Sequence, residues 1–203
     1  MTNTLRLHDF TLSGHAHRIR LFCGLLQLPL TLVSVDLRQG QQKRPEFLAM
    51  NVFGQVPVLE DGDTAVADSN AILLYLALRH DRDRRWWPED ALAQARVQQW
   101  FSAAAGPLAN GLARQRVLSL FGGEPEARAA ELSRQLLDAM TRQLQRSRYL
   151  ASDAHPTLAD VALYSYTARA HDGGVDLADR PDIRRWLADI ESLPGFVPMA
   201  EAS

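Results

Sequence analysis

The chain has 203 residues, 46% hydrophobic and 23% charged, with a formal net charge of −2, which suits a folded globular protein and gives no electrostatic basis for binding nucleic acid or an anionic membrane. A single cysteine, Cys23, excludes an internal disulfide, and no cluster of cysteine and histidine suggests a metal site. The opening MTNTLRLHDF lacks an apolar signal core and no apolar run is long enough for a membrane span, so the protein is expected in the cytoplasm.

LRLHDF (5–10) alternates as a strand. SGHAHRIRLFCGLLQL follows as a helix, with Ile19, Phe22, Cys23 and Leu26 on one face and Pro29 punctuating its end. LTLVSVDL (30–37) is a β-branched strand, and RPEFLAM a short helix. VPVLED and TAVAD flank the turn Glu60–Asp61–Gly62–Asp63 as a hairpin, and SNAILLYLALRH forms a third helix. The order predicts a parallel strand pair with a right-handed crossover, then two antiparallel strands.

DRDRRWWPED (81–90) reads as a charged linker whose tryptophan pair is expected to fix how the halves meet. From residue 91 onward the pattern is helical. Val97, Trp100, Phe101, Ala104 and Leu108 make one stripe, which Gly106–Pro107 should kink because proline removes a backbone donor. After a break at FGGEPEA, Leu132, Leu136, Leu137, Met140 and Leu144 line a further helix. TLADVALYSYTARA is apolar on most sides and reads as a buried central helix; Ile183, Trp186, Leu187 and Ile190 line the last.

Several residues suit chemistry as well as structure. Pro57 in GQVPVLED either begins a strand in the ordinary trans form or sits in a cis turn that presents the backbone of Val56 to an extended peptide. Asp68 and Ser69 precede a helix; either can cap it, and together they suit an α-amino acid end group, with the carboxylate at the helix N-terminus and the ammonium on the aspartate. Ser13 can cap the first helix or donate a hydrogen bond to an anion, such as a thiolate, at that helix's positive end. Thr157 and Asp160 have capping-box spacing.

Taken together, FGQVPVLED, ADSNAI and PTLADVALYS resemble the cytosolic glutathione S-transferase family, in a bacterial, serine-type form similar to the theta and zeta classes. The resemblance spans essentially the whole chain. It implies a thioredoxin-like βαβαββα domain over 1–80, a linker over 81–90 and an all-helical domain over 91–203, in a homodimer with glutathione as co-substrate and no metal. Residues matching the glutathione site are Val56 and Pro57 for the cysteinyl part, Asp68 and Ser69 for the γ-glutamyl end, and Gln42, Lys43 and Gln55 for the glycine carboxylate; Lys43 also reads as an ordinary surface lysine.

Ser13 matches the catalytic position, and the family's mixed-disulfide chemistry would need a cysteine there. His15 either assists at the thiol or is a partly exposed helix residue, and His17 is expected at the surface. Cys23 is expected as a small buried hydrophobe. The electrophile is expected between the domains, near Trp100, Ala104, Asn110, Gly111 and Arg114, the last of which also reads as a solvated arginine. Asp160 is read as structural. The implied activity is attack of the glutathione thiolate on a small hydrophobic electrophile; peroxide reduction or isomerisation would use the same thiolate, and a non-catalytic binding protein is the reading from another class.

Overall fold

A computed structural model describes residues 4–201. Strand β1 (Leu5–Asp9) lies parallel to β2 (Leu30–Ser34), with Leu7 opposite Leu32. On its other side β1 pairs antiparallel with β3 (Val58–Asp61), and β3 pairs antiparallel with β4 (Thr64–Ala67), giving the order β2-β1-β3-β4. The hairpin closes through Gly62 at φ +61°, a conformation glycine adopts without a Cβ penalty. β2 ends before the expected residue 37 because the chain turns: Asp36 Oδ1 accepts from the Gln39 N–H at 3.0 Å, and Gln41 Oε1 takes the Asp36 N–H at 2.8 Å.

Alternation along the strands assigns the two faces. Leu7 and Leu59 pair across β1 and β3 and are fully buried. Helices α1 (Gly14–Leu25) and α3 (Ser69–His80) pack side by side against these strands. His8 and Val58 face the opposite way. There Phe47 of α2 (Pro45–Met50) meets the His8 ring edge-on, with centroids 5.8 Å apart, and joins Val35 and Val58 in a small core. Pro45 starts α2 in the first turn, where the N–H it lacks would have no intrahelical acceptor.

Two compact units divide the chain. The first runs to Arg82 and also takes the segment from Pro194, whereas the sequence reading left that segment in the helical domain; the second is Asp83–Leu193. The returning segment buries a histidine of α1. His17 is fully buried rather than at the surface, and its Nε2 donates to the Val197 carbonyl at 2.8 Å. Nearby the segment crosses α1 at paired glycines: a Cβ on Gly24 would lie 2.4 Å from the Gly195 carbonyl oxygen. Only backbone fits at that crossing.

The second unit holds α4 (Ala91–Ala103), α5 (Leu112–Phe121), α6 (Ala127–Leu144), α7 (Leu158–Ala168) and α8 (Pro181–Glu191). The tryptophans of 81–90 dock within this unit: Trp87 stacks near Phe101 at 6.1 Å, and the Trp86 carbonyl accepts from the Leu158 N–H at 3.0 Å. At Gly106–Pro107 the helix widens into a π-turn over Ala104–Leu108, which accommodates the residue that has no N–H to donate.

α7 is buried along nearly its whole length, as its composition predicts, and Asp160 organises its start. Asp160 Oδ2 accepts from the Thr157 N–H at 2.8 Å and completes the capping box. Oδ1 accepts from the Leu150 N–H and from Trp186 Nε1, both at 2.9 Å. One buried carboxylate thus joins α7, α8 and the loop before α7. Asp160→Ala orphans three buried N–H donors at about 1–3 kcal/mol each, so a loss of about 3 kcal/mol or more in unfolding free energy is expected from urea denaturation. An unchanged midpoint would contradict that role.

Candidate active site

Ser13 caps α1 from extended backbone at φ −75°, ψ 118°, and its Oγ accepts from the Ala16 N–H at 3.2 Å. A hydroxyl has one proton and two lone pairs, so this cap leaves the proton available to a ligand. Asp68 caps α3, with Oδ1 accepting from the N–H groups of Asn70 and Ala71, both at 2.9 Å. Its φ of 72° with ψ 127° lies where a non-glycine residue is strained by about 1–3 kcal/mol. Such strain persists where surrounding contacts enforce it, and it concentrates at binding sites.

A cleft of about 490 Å³ opens beside these caps. Its walls include His15, Gln55, Val56, Pro57, Asp68 and Ser69, so five of the seven expected glutathione contacts and one of the two expected catalytic residues share one cavity. The Val56–Pro57 peptide bond is cis. Ser13 stands two residues before His15, at the start of α1, and is not among the lining residues.

Gln42 and Lys43 lie outside the cleft wall, and of the two it is Lys43 that bonds a lining residue. Gln42 Nε2 donates to the Leu37 carbonyl at 3.3 Å, and Lys43 Nζ donates to the Phe53 carbonyl at 3.2 Å. Gly54 makes this approach possible: at φ +57°, a Cβ there would meet the Gln42 carbonyl oxygen at 2.7 Å.

Three contributors escaped the sequence reading. Asn51 is buried and staples the wall, its Nδ2 donating to the Gln55 carbonyl at 2.8 Å and its Oδ1 accepting from the Phe53 N–H at 3.0 Å. Gly54 shapes the approach just described. Arg18 is fully buried, and its Nη1 donates to Ser69 Oγ at 2.9 Å and to Asn70 Oδ1 at 3.4 Å. Nothing in HRIR distinguishes Arg18 from Arg20, which turns the other way to Asp9 and the Thr11 carbonyl. An asparagine just after a short helix and a glycine before GlnValPro were the available signals for the other two.

His15 Nδ1 also reaches Ser69 Oγ, at 3.3 Å. Burial, reinforced by the Arg18 charge, depresses the imidazole pKa to about 3, so the ring is neutral at physiological pH. Cys23 faces the core of α1 as expected; burial pushes its thiol up to about 12.

The five residues expected around the electrophile do not line this cleft, and each has a contact or packing role within the helical unit. Trp100 Nε1 donates to the Leu150 carbonyl at 2.9 Å, and Ala104 is fully buried. Asn110 Nδ2 donates to the Gly106 carbonyl at 3.0 Å. Gly111 permits close packing, since a Cβ there would lie 2.4 Å from the Pro107 carbonyl oxygen. Arg114 forms a forked pair with Glu126 at the surface, with Nε 3.1 Å from Oε1.

Residues 12–79 match the family described as glutathione S-transferase, N-terminal domain, and residues 89–189 match its C-terminal domain. The chain belongs to the glutathione S-transferase family. It is 32% identical to glutathione S-transferase 3 of Zea mays over 95% of this chain and 91% of that protein. It is also 32% identical to glutathione S-transferase theta-1 of Bos taurus, over 98% of this chain and 87% of that one. Among solved structures, a glutathione S-transferase from Pseudomonas fluorescens superposes with a TM-score of 0.90 at 34% identity, covering 97% of this chain and 99% of its own. A Drosophila mojavensis homologue with bound glutathione gives a TM-score of 0.85 at 28% identity, covering 95% and 89%. No group of residues suited to a metal ion is found among the described residues, and no described helix is long and apolar enough to cross a membrane.

Two outcomes test the electrostatics of this glutathione S-transferase. The folded His15 pKa of about 3 lies below its ordinary 6.5, so between those values the unfolded chain holds the extra proton and stability rises with pH. Unfolding free energy should therefore fall on acidification from pH 7 toward 4, and His15→Asn should flatten that slope. Cys23 carries about one part in 10⁵ thiolate at pH 7, so iodoacetamide should label it slowly until urea unfolds the chain; rapid labelling of the native protein would contradict its burial.

Proposed function

We propose that this glutathione S-transferase binds glutathione along the 490 Å³ cleft and activates its thiol through Ser13 at the N-terminus of α1. The single observation that carries the reading is the convergence of Val56, Pro57, Asp68 and Ser69 on one cavity. Asp68 suits the α-ammonium of the γ-glutamyl end, and the Ser69 hydroxyl at the start of α3 suits its carboxylate. Val56 offers backbone groups to the cysteinyl part, while Gln42, Lys43 and Gln55 serve the glycine carboxylate.

A free thiol titrates near 8.5. A hydroxyl donor at a helix N-terminus favours the thiolate, each unit of lowering being about 1.4 kcal/mol. Ser13 meets both conditions: its own oxygen is occupied by the cap, and its proton is available. The thiolate then attacks an electrophilic carbon, the new C–S bond forming as the leaving group departs. His15, neutral and half-buried on the cleft wall, acts as hydrogen-bonding partner rather than as a cation.

On the helical unit, Asn110 and Arg114 are exposed, and we assign them to the electrophile together with the buried Trp100, Ala104 and Gly111. Val52 and Phe53, 79% and 75% exposed beside Gly54, support a homodimer, because adjacent apolar side chains at such exposure are suited to burial against a partner. A cytoplasmic location accords with the mixed surface charge and the single buried thiol.

Calorimetric titration with glutathione and with S-hexylglutathione tests the site. Binding of both is expected, the alkyl form more tightly; binding of neither would overturn the reading. Ser13→Ala should leave glutathione affinity within about threefold while moving the acid limb of kcat/KM upward by about one pH unit. An unchanged pH–rate profile would remove Ser13 from the chemistry. Asp68→Ala should weaken glutathione binding about tenfold, the size of one charge-assisted contact.

A further inference from the structure

We propose that Arg18 is a positioning residue for glutathione: through the Ser69 hydroxyl it ties the γ-glutamyl end of the bound tripeptide to the His15 imidazole on α1. The inference rests on the assignment of Asp68 and Ser69 as the γ-glutamyl subsite. It deepens that assignment by giving one oxygen atom three partners that act in concert.

The geometry is compact. Ser69 Oγ lies 2.9 Å from Arg18 Nη1 and 3.3 Å from His15 Nδ1, and Ser69 is buried at the cleft wall. Arg18 reaches it from α1, fully buried, with a further contact to Asn70 Oδ1 at 3.4 Å. A guanidinium is always protonated and can only donate, so Arg18 occupies one lone pair of the serine oxygen and fixes where that oxygen sits between the two helices.

A carboxylate can only accept. When it binds Ser69 it takes the hydroxyl's single proton. The remaining lone pair is then open to His15, which must donate through Nδ1–H, so the ring's acceptor lone pair falls on Nε2. Occupation of the γ-glutamyl subsite thereby sets the tautomer of a cleft-wall histidine two residues beyond Ser13. The Arg18 charge contributes twice. It places a positive group one hydrogen bond behind the carboxylate, in a site screened from water, where charge-assisted bonds are stronger. It also disfavours protonation of His15, so the ring responds by moving a proton between its nitrogens rather than by gaining one.

The experiment is a double-mutant cycle with Arg18→Met and Ser69→Ala, read by calorimetry with S-methylglutathione, which keeps the γ-glutamyl end and has no thiol. Arg18→Met is expected to weaken binding about tenfold in the otherwise unaltered protein and less than about threefold when Ser69 is already alanine. In parallel, ¹⁵N NMR of the His15 ring should show a shift toward the Nδ1–H tautomer when S-methylglutathione is added, and no such shift in Ser69→Ala. Should Arg18→Met fail to fold, Arg18→Lys takes its place, since it keeps the charge and loses the planar fork; weakening of about threefold or more, again non-additive with Ser69→Ala, is expected.

A purely structural role would lower the melting temperature of the Arg18 variants while leaving the dissociation constant and the His15 tautomer unchanged, and that result overturns the proposal. Additive losses in the cycle also overturn it, while leaving the subsite assignment intact. Failure of the unaltered protein to bind S-methylglutathione would overturn the subsite assignment and the proposal with it.

Discussion

The packing of α1 against α3 is the constraint on which the site depends. These helices bring two N-termini to one side of the sheet, one capped by Ser13 and the other by Asp68. Helix N-termini concentrate positive potential, and two of them side by side suit a ligand with more than one anionic group. Ser69 Oγ, held by Arg18 and approached by His15, fixes the register between the helices at the point where they meet the cleft. A slip of one residue along either helix would separate these atoms. The fully buried Ile19, Ile72 and Leu76 resist that slip, so core packing and polar geometry enforce the same arrangement.

Several features that are unfavourable by themselves become intelligible around that arrangement. Asp68 adopts a strained backbone, His15 is held neutral far below its ordinary pKa, and Arg18 is a fully buried cation. Each costs stability locally and is sustained by neighbours: the cap bonds to Asn70 and Ala71, the Ser69 hydroxyl, and the sheet beneath. Glycine plays a comparable part elsewhere, since Gly54 admits Lys43 to the cleft edge and Gly24 admits the returning C-terminal segment across α1. In the helical unit the buried carboxylate of Asp160 joins three segments through Trp186, Leu150 and Thr157. The polar cluster at the cleft and the one at the start of α7 thus belong to different units.

Much of this was legible from the chain itself. Strand alternation, helical stripes and the Gly62 turn determined the element order, because hydrophobic periodicity reports which face must be buried. The cap residues Ser13 and Asp68 and the box at Thr157–Asp160 were visible because capping is local: the partners lie two or three residues away. Cys23 was readable as core from its place on an apolar stripe. What the sequence could not determine were partners distant along the chain. His17 looks like a surface histidine until Val197 is brought to it, and Arg18 looks like any helical arginine until Ser69 is brought to it. Tertiary structure alone decided these contacts, because a side chain of several rotatable bonds carries no local signal of its target, whereas the backbone caps and the periodic burial of apolar faces are written within a single turn of the chain.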